Sequence, residues 1–376
     1  MTHPLRIAIV GGGPGGLTLA RILSRHGVAV CVFERESGPL ERPQGGTLDL
    51  HVESGQFALQ QAGLDDAFMR IARYEDQGSR LMDHHGQLLF EDPNPEAGDR
   101  PEVDRTQLRQ ILLDSLPEGC VKWGVSINHA SQGDDQRWTL HQGDRHHGPF
   151  DLVVGADGAW SKIRPLLSPY QPQYSGLTFI EFNIDDADLR HPLAARLVGR
   201  GTLQVAGEAR SIIVQRNANA HLRGYAIFRV PTDWAANTID LSHAPSLKTQ
   251  FQGWHPDVLA LFDAASPTLL VRHIHALPVG HRWAHRPGLT LIGDAAHLMS
   301  PFGGEGVNAA MLDAAELAQH LLETPDGSKA VQAYENHMFE RVMPAAQGSA
   351  EGAALQLSHD SVALSLAHLH QHLTPQ

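Results

Sequence analysis

The sequence predicts an α/β protein with a parallel sheet, a second antiparallel sheet and a helical C-terminal segment. Three observations predict it. The chain opens on a strand, a glycine-rich turn, a helix and a second strand within residues 5–35. The strand-to-glycine-turn texture returns at 151–158 and again at 289–294. Between them, from about 172 to 275, the chain changes to short strand-like runs separated by turns, the texture of an antiparallel sheet.

Residues 5–10 (LRIAIV) are an apolar, β-branched run of strand length. GGGPGG follows, then LTLARILSRHG, whose apolar positions keep helical spacing until Gly27 stops them. Residues 28–33 (VAVCVF) form the next strand, closed by Glu34 and Arg35. Strand, helix and strand in that order imply a right-handed crossover into a parallel sheet. Residues 103–116 read as an amphipathic helix and 120–150 as a β-meander. TLQVAG, SIIVQRN and GYAIFRV are strands of the antiparallel sheet. A helix is expected near 306–323, then mostly helical chain over 328–372. Pro344 should break or kink it, having no amide hydrogen to donate.

The 376 residues are 42% hydrophobic and 19% charged, an ordinary globular balance that suits one large domain or two packed ones. A formal charge of −13 argues against nucleic acid as a partner, because phosphates require a basic face. No run approaches the ~20 apolar residues of a membrane span. The chain passes from MTHPLR directly into a strand, without a signal peptide's hydrophobic segment. Cys31 and Cys120 are too few for a disulfide framework. A cytoplasmic protein without stable membrane association is expected. Histidine is abundant, at 24 residues, with His84-His85 and His146-His147 adjacent. Neighbours on a strand point to opposite faces and no recognised zinc spacing occurs, so no metal site is expected.

The chemistry concentrates in the turns. Gly11, Gly13 and Gly16 form G-x-G-x-x-G between strand and helix. The first glycine allows a tight turn, the second lets backbone approach a pyrophosphate, and the third lets the helix pack closely. The helix N-terminus then faces phosphate. Glu34 ends the next strand, where an acid accepts hydrogen bonds from an adenosine ribose. This much specifies a dinucleotide without choosing between FAD and NAD. Two further segments repeat the logic of strand, glycine turn, acid and helix start: DLVVGADG, containing Asp157, and LIGDAAH, containing Asp294. Any one could be a structural βα loop, whereas three in this order point to one nucleotide site.

These segments resemble those of FAD-dependent aromatic hydroxylases, the class A flavoprotein monooxygenases. Asp157-Gly158, with Ser161 and Arg164, is similar to their "DG" motif. Gly293-Asp294-Ala-Ala-His297, with Pro301 and Gly303-Gly304-Glu-Gly306-Val-Asn308, is similar to their "GD" motif. The resemblance implies a Rossmann-like FAD domain of the glutathione-reductase type, arranged as in para-hydroxybenzoate hydroxylase, beside an antiparallel substrate sheet. It also implies FAD as cofactor, NADPH or NADH as electron donor and O₂ as co-substrate. One oxygen atom would go to an electron-rich carbon of a phenol or enol. Asp294 would contact the flavin ribityl chain, and the turn from Pro301 through Gly304 and Gly306 to Asn308 would face the flavin's anionic edge.

RPQGGTLDLH over 42–51 and DRTQLRQILLDSL over 104–116 are similar to the tetracycline-inactivating monooxygenases. Carried over by position, Asp49 and Arg109 look like FAD contacts and Arg42 like a nicotinamide-nucleotide contact. Arg35 and Arg105 join the expected cofactor set, and Arg42 and Arg105 each have a solvated surface charge as the alternative. Toward the substrate the likeness fails. Where that subfamily carries Gln, Arg and His, approximate alignment gives Glu181, Leu203 and Arg223, with Arg216 as a further candidate. Tetracycline and another aromatic or polyketide-like metabolite therefore both stay open, with a non-oxygenating flavin reductase or sensor as a further alternative. No catalytic base is assigned, and His297 reads as a structural residue of its turn. The expected division is an FAD domain from 1–75, 100–170 and 280–325, a substrate domain from 76–99 and 171–279, and a bridging helical segment over 326–376. A monomer acting on a small molecule is expected.

Overall fold

A computed structural model of the protein describes residues 5–41, 45–92, 97–355, 357–358, 360 and 362–367. Its first sheet has five strands in the order Leu289–Leu291, Leu152–Gly155, Arg6–Val10, Ala29–Phe33, Val121–Lys122, parallel at every pairing. Ile7 to Val10 and Leu152 to Val154 are all buried, as a parallel sheet covered on both faces demands. The helix Pro14–Arg25 starts at Gly13 with proline in its first turn and ends before Gly27, which takes φ +74°. The expected meander is present as three antiparallel strands, His129–Gln132, Trp138–Gln142 and Arg145–Phe150.

The second sheet has seven strands in the order Leu270–Ala276, Gln173–Ile184, Leu222–Arg229, Arg210–Arg216, Gly201–Gly207, Gly78–Asp83, Leu88–Glu91. It is antiparallel except where Gly201–Gly207 runs parallel to Gly78–Asp83. Alternation along each strand divides the side chains between two faces. One face holds Ile180, Phe182, Leu203, Val205, Ile212, Val214 and Ala226, closed over by helices that include Pro192–Val198 and Pro256–Ala264. The other holds Phe179, Tyr225 and Ile227 and meets Phe302 and the C-terminal segment.

Two boundaries differ from expectation. The helix expected from 103 begins at Arg105, because Glu102–Asp104 pairs as a strand with Thr47–Asp49. The helix Gly327–Leu355 runs unbroken through Pro344. Proline costs a helix one hydrogen bond, and here the neighbouring turns keep theirs while Val342, Ser349 and Ala353 remain buried. Among the described residues no helix is long and apolar enough to cross a membrane.

Candidate active site

The three glycine turns converge. Gly11, Ala156 and Ile292 each follow the carboxyl end of a strand, and those three strands are neighbours. From the central strand Arg6–Val10 the chain first leaves to one side, for Ala29–Phe33, and later fills the other side with Leu152–Gly155. That reversal makes the crevice beyond Gly11 and Asp157 a topological switch point, the place where open α/β sheets bind ligands.

Backbone geometry there is tight in two places and open in a third. A Cβ on Gly11, at φ +111°, would lie 2.2 Å from the Ala156 carbonyl oxygen, and one on Gly16 would lie 2.2 Å from that of Gly11. Nothing lies within 4 Å of the position a Gly13 Cβ would take. Bare backbone thus meets free space at a helix N-terminus, which suits a pyrophosphate. Glu34 braces the turn, its Oε2 accepting the Gly12 N–H at 2.7 Å and its Oε1 the Glu36 N–H at 3.0 Å. Arg35 points outward and is exposed.

Arg109 lies on the inner side of its helix rather than a solvent-facing one. It donates through Nη1 to Glu36 Oε2 at 2.8 Å and to Pro39 O at 3.2 Å, and through Nε to Gly12 O at 3.3 Å. Both partners of the Arg109–Glu36 pair are about 4% exposed. Glu36 escaped the sequence reading, although an acid two residues beyond Glu34 shares its strand parity. Arg42 lies outside the described residues.

Asp294 opens the short helix Asp294–His297 and is exposed. The surrounding protein pushes its carboxyl above the usual carboxylate range, against the pull of His297, Arg105 and Arg164. Burial raises Asp157 likewise. Its Oδ2 accepts the Lys162 N–H at 2.6 Å, while its buried Oδ1 has no partner. Arg164, fully buried, joins the two motifs by donating to Ala159 O at 2.6 Å, Ala295 O at 3.1 Å and Asp294 O at 3.4 Å.

Asp49 ends a strand opposite the turn before helix Glu305–Glu323, where Pro301 and Gly304 are exposed. A Cβ on Gly304 would come within 3.0 Å of Asp49 Oδ1, whereas Gly306 faces open space. The Asn308 side chain is not available to a cofactor, which leaves the backbone of its turn as the expected contact. It is wholly buried and held by protein, accepting the His51 N–H at 3.0 Å and donating to Asp49 O at 2.9 Å. It positions the Asp49 strand instead of facing a ligand.

On the seven-stranded sheet the structure divides the substrate candidates. Glu181, Arg223 and Tyr225 share the face turned toward the glycine turns. Glu181 Oε2 accepts from Arg272 Nε at 3.0 Å, and its Oε1 lies 3.5 Å from Arg223 Nη1. A Cβ on Gly46 would lie 3.3 Å from Arg223 Cδ and 3.5 Å from the Tyr225 hydroxyl, and one on Gly45 would lie 3.1 Å from Arg105 Cδ. The sheet therefore abuts the segment leading to Asp49, with Arg105 beside it. Tyr225 is pushed up in pKa by burial and then by the Glu181 charge, so it remains a phenol donor. It was missed by sequence, although it lies two residues from Arg223 and so on the same face.

Leu203 and Arg216 are on the opposite face and leave the substrate set. Leu203 is fully buried in the outer core. Arg216 donates to Gly199 O at 2.6 Å, Ala195 O at 3.3 Å and Asp188 Oδ1 at 3.0 Å. Strand parity excludes both: 203 pairs with 214, and 216 lies two residues beyond it.

The bare backbone at Gly13, the open carboxylate of Asp294 and the unpartnered Asp157 Oδ1 fit a flavin dinucleotide. The model of the family described as FAD binding domain matches residues 5–348. The chain belongs to that family. It is 30% identical over 394 residues to the monooxygenase PenA of Penicillium thymicola, covering 91% of this chain and 90% of PenA. It is an FAD-dependent monooxygenase. In fold it is similar to Klebsiella pneumoniae HpxO, solved with FAD and uric acid, at TM-score 0.79 and 22% identity over 98% of this chain and 92% of that one. It is also similar to the tetracycline destructase Tet(55), at TM-score 0.73 and 21% identity over 100% and 99% of the two chains. NAD(P)H and O₂ are typical co-substrates of such enzymes.

Proposed function

We propose that this monooxygenase hydroxylates an electron-rich carbon of a planar phenol or enol whose oxyanion is received by Arg223 and Tyr225, with NADPH or NADH as reductant. One observation carries the reading: no protein acceptor among the described residues meets hydrogen-bond geometry at the buried Arg223 Nε, whose side chain has the Tyr225 hydroxyl as a polar neighbour, beside Gly46 and between sheet and glycine turns. A buried unpaired donor costs about 1–3 kcal/mol, and a substrate oxyanion would supply the missing acceptor. Glu181 takes part of the charge of Arg223 and Arg272, which leaves a cationic site for one anionic oxygen. Holding that oxygen as an anion enriches the ring carbon to be attacked.

FAD, when bound, supplies hydride uptake and oxygen activation. The chain's part is binding, orientation and exclusion of water. In this reading Gly11, Gly13 and Gly16 seat the pyrophosphate, while Glu34 and Arg35 border the adenosine end. Arg109 stiffens the loop through Glu36. Asp294 meets the ribityl chain, Asp157 the adjoining turn, and Asp49, Arg105, Pro301, Gly304 and Gly306 border the flavin ring. Tetracyclines, as polycyclic phenol-enols, are the first substrates to test, since residues 45–51 resemble the tetracycline-inactivating enzymes. Simple phenols and hydroxylated heterocycles come next.

The experiment is a panel of these compounds scored for stimulated NADPH oxidation and a product that has gained one oxygen atom. Arg223→Met should raise KM for a responsive substrate about tenfold or more while FAD stays bound. An unchanged KM, or stimulation by compounds lacking any acidic hydroxyl, would overturn the reading.

A further inference from the structure

The sequence-adjacent His84 and His85 stack with ring centroids 3.9 Å apart, whereas the fold brings ring nitrogens to hydrogen-bond distance in a pair that is not adjacent in sequence. The three-stranded antiparallel sheet sets His129, His141 and His146 in one row, with His141 the register partner of both others. Ring centroids are 5.3 Å apart for His129 and His141 and 4.8 Å for His141 and His146. His141 Nδ1 and His146 Nδ1 lie 2.9 Å apart. The other ring nitrogen of His141, Nε2, lies 2.7 Å from Ser131 Oγ. When Nε2–H donates to that hydroxyl, Nδ1 keeps its lone pair. An outer hydrogen bond of this kind is what fixes tautomer and ring orientation in metal-binding histidines.

The separation also selects a geometry. Nitrogens 2.9 Å apart, each about 2.0 Å from an ion, subtend roughly 90° at it. A tetrahedral ion would need them about 3.3 Å apart. The smaller angle is the cis angle of tetragonal Cu²⁺ and Ni²⁺. His146 and His129 are exposed, so water can complete the coordination. Among the described residues no group of three or more His, Cys, Asp or Glu is arranged to hold one ion. A closed zinc site is thereby set aside and the case is confined to two nitrogens.

We propose that His141 and His146 form a surface chelate for a tetragonal divalent transition-metal ion, Cu²⁺ ahead of Ni²⁺ and Zn²⁺ in the Irving–Williams order. The sheet that carries it contributes no residue to the candidate active site, so the proposal stands apart from the substrate reading.

The test uses the untagged, FAD-loaded full chain titrated with Cu²⁺, followed by calorimetry and electron paramagnetic resonance. The expected result is one tight ion with two nitrogen ligands. His141→Ala or His146→Ala should weaken it by about tenfold or more, whereas His129→Ala and His85→Ala should retain it. Flavin absorbance checks that each variant is folded. Uptake no tighter in the native chain than in the double variant overturns the proposal and leaves a plain imidazole–imidazole hydrogen bond. A nitrogen count other than two on the native chain overturns it without any variant.

Discussion

His297 Nε2 and Asp313 Oδ2 lie 2.6 Å apart, in a pair almost shut off from solvent. The same carboxylate oxygen accepts the Gly293 N–H at 2.7 Å, and Oδ1 accepts from Arg341 Nη2 at 2.6 Å. The turn that presents Asp294 is thus tied, through one aspartate on helix Glu305–Glu323, to the helix Gly327–Leu355. His297 serves as a structural member of its turn, and Asp313 is its anchor.

Asp313→Asn should destabilise the protein by about 3 kcal/mol, since it removes the carboxylate that the buried His297 and the Gly293 N–H share and leaves Arg341 with Glu316 alone. Burial alone would raise the Asp313 carboxyl, but His297, Arg341 and the Gly293 N–H more than offset it and hold it below the usual range. A depressed acid stabilises the fold above its unfolded pKa and loses that contribution as pH falls through the folded one. The gap between wild type and variant in urea unfolding should therefore persist from about pH 8 to about pH 5 and close below about pH 4. A gap that widens in acid contradicts the pairing.

Glu102 carries the opposite sign. Burial pushes its carboxyl up to about 8, with the Thr47 hydroxyl bond pulling the other way and Asp49 adding to the rise. The folded state therefore holds a proton that the unfolded chain gives up, and stability falls as pH rises from about 4.5 to about 8. Glu102→Gln mimics the protonated acid. Its Tm should match wild type near pH 5 and exceed it increasingly toward pH 8, levelling off above. Equal Tm values across that range would show the carboxylate to be charged at no cost.

Gly11 and Gly13 should separate fold from cofactor. Gly11→Ala places a Cβ against Ala156 O at a positive φ, and is expected to destabilise the apoprotein by about 2 kcal/mol or more. Gly13→Ala meets no protein atom. It should leave unfolding of the apoprotein within about 1 kcal/mol of wild type while raising the FAD Kd about tenfold or more. Flavin fluorescence titration beside urea unfolding distinguishes the two.

Asp294→Ala should weaken FAD retention through loss of the open carboxylate. Gel filtration followed by the flavin-to-protein absorbance ratio reads this directly, and unchanged occupancy would remove Asp294 from the cofactor set.

The sequence by itself determined the parallel sheet, the three glycine turns and a dinucleotide beside them, because each depends on local rules. Apolar runs choose strands, glycine at tight φ marks turns, and an acid after the second strand marks a ribose contact. The choice of flavin rested on the resemblance of the later turns at Asp157 and Asp294 to those of the aromatic hydroxylases. The tertiary structure alone decided which face of the seven-stranded sheet looks at the turns, since a strand's two faces differ by a single residue of register. That parity removed Leu203 and Arg216 and admitted Tyr225. It alone joined Glu36 to Arg109, Asp313 to His297 and His141 to His146, pairs set by packing and strand register that no spacing along the chain encodes.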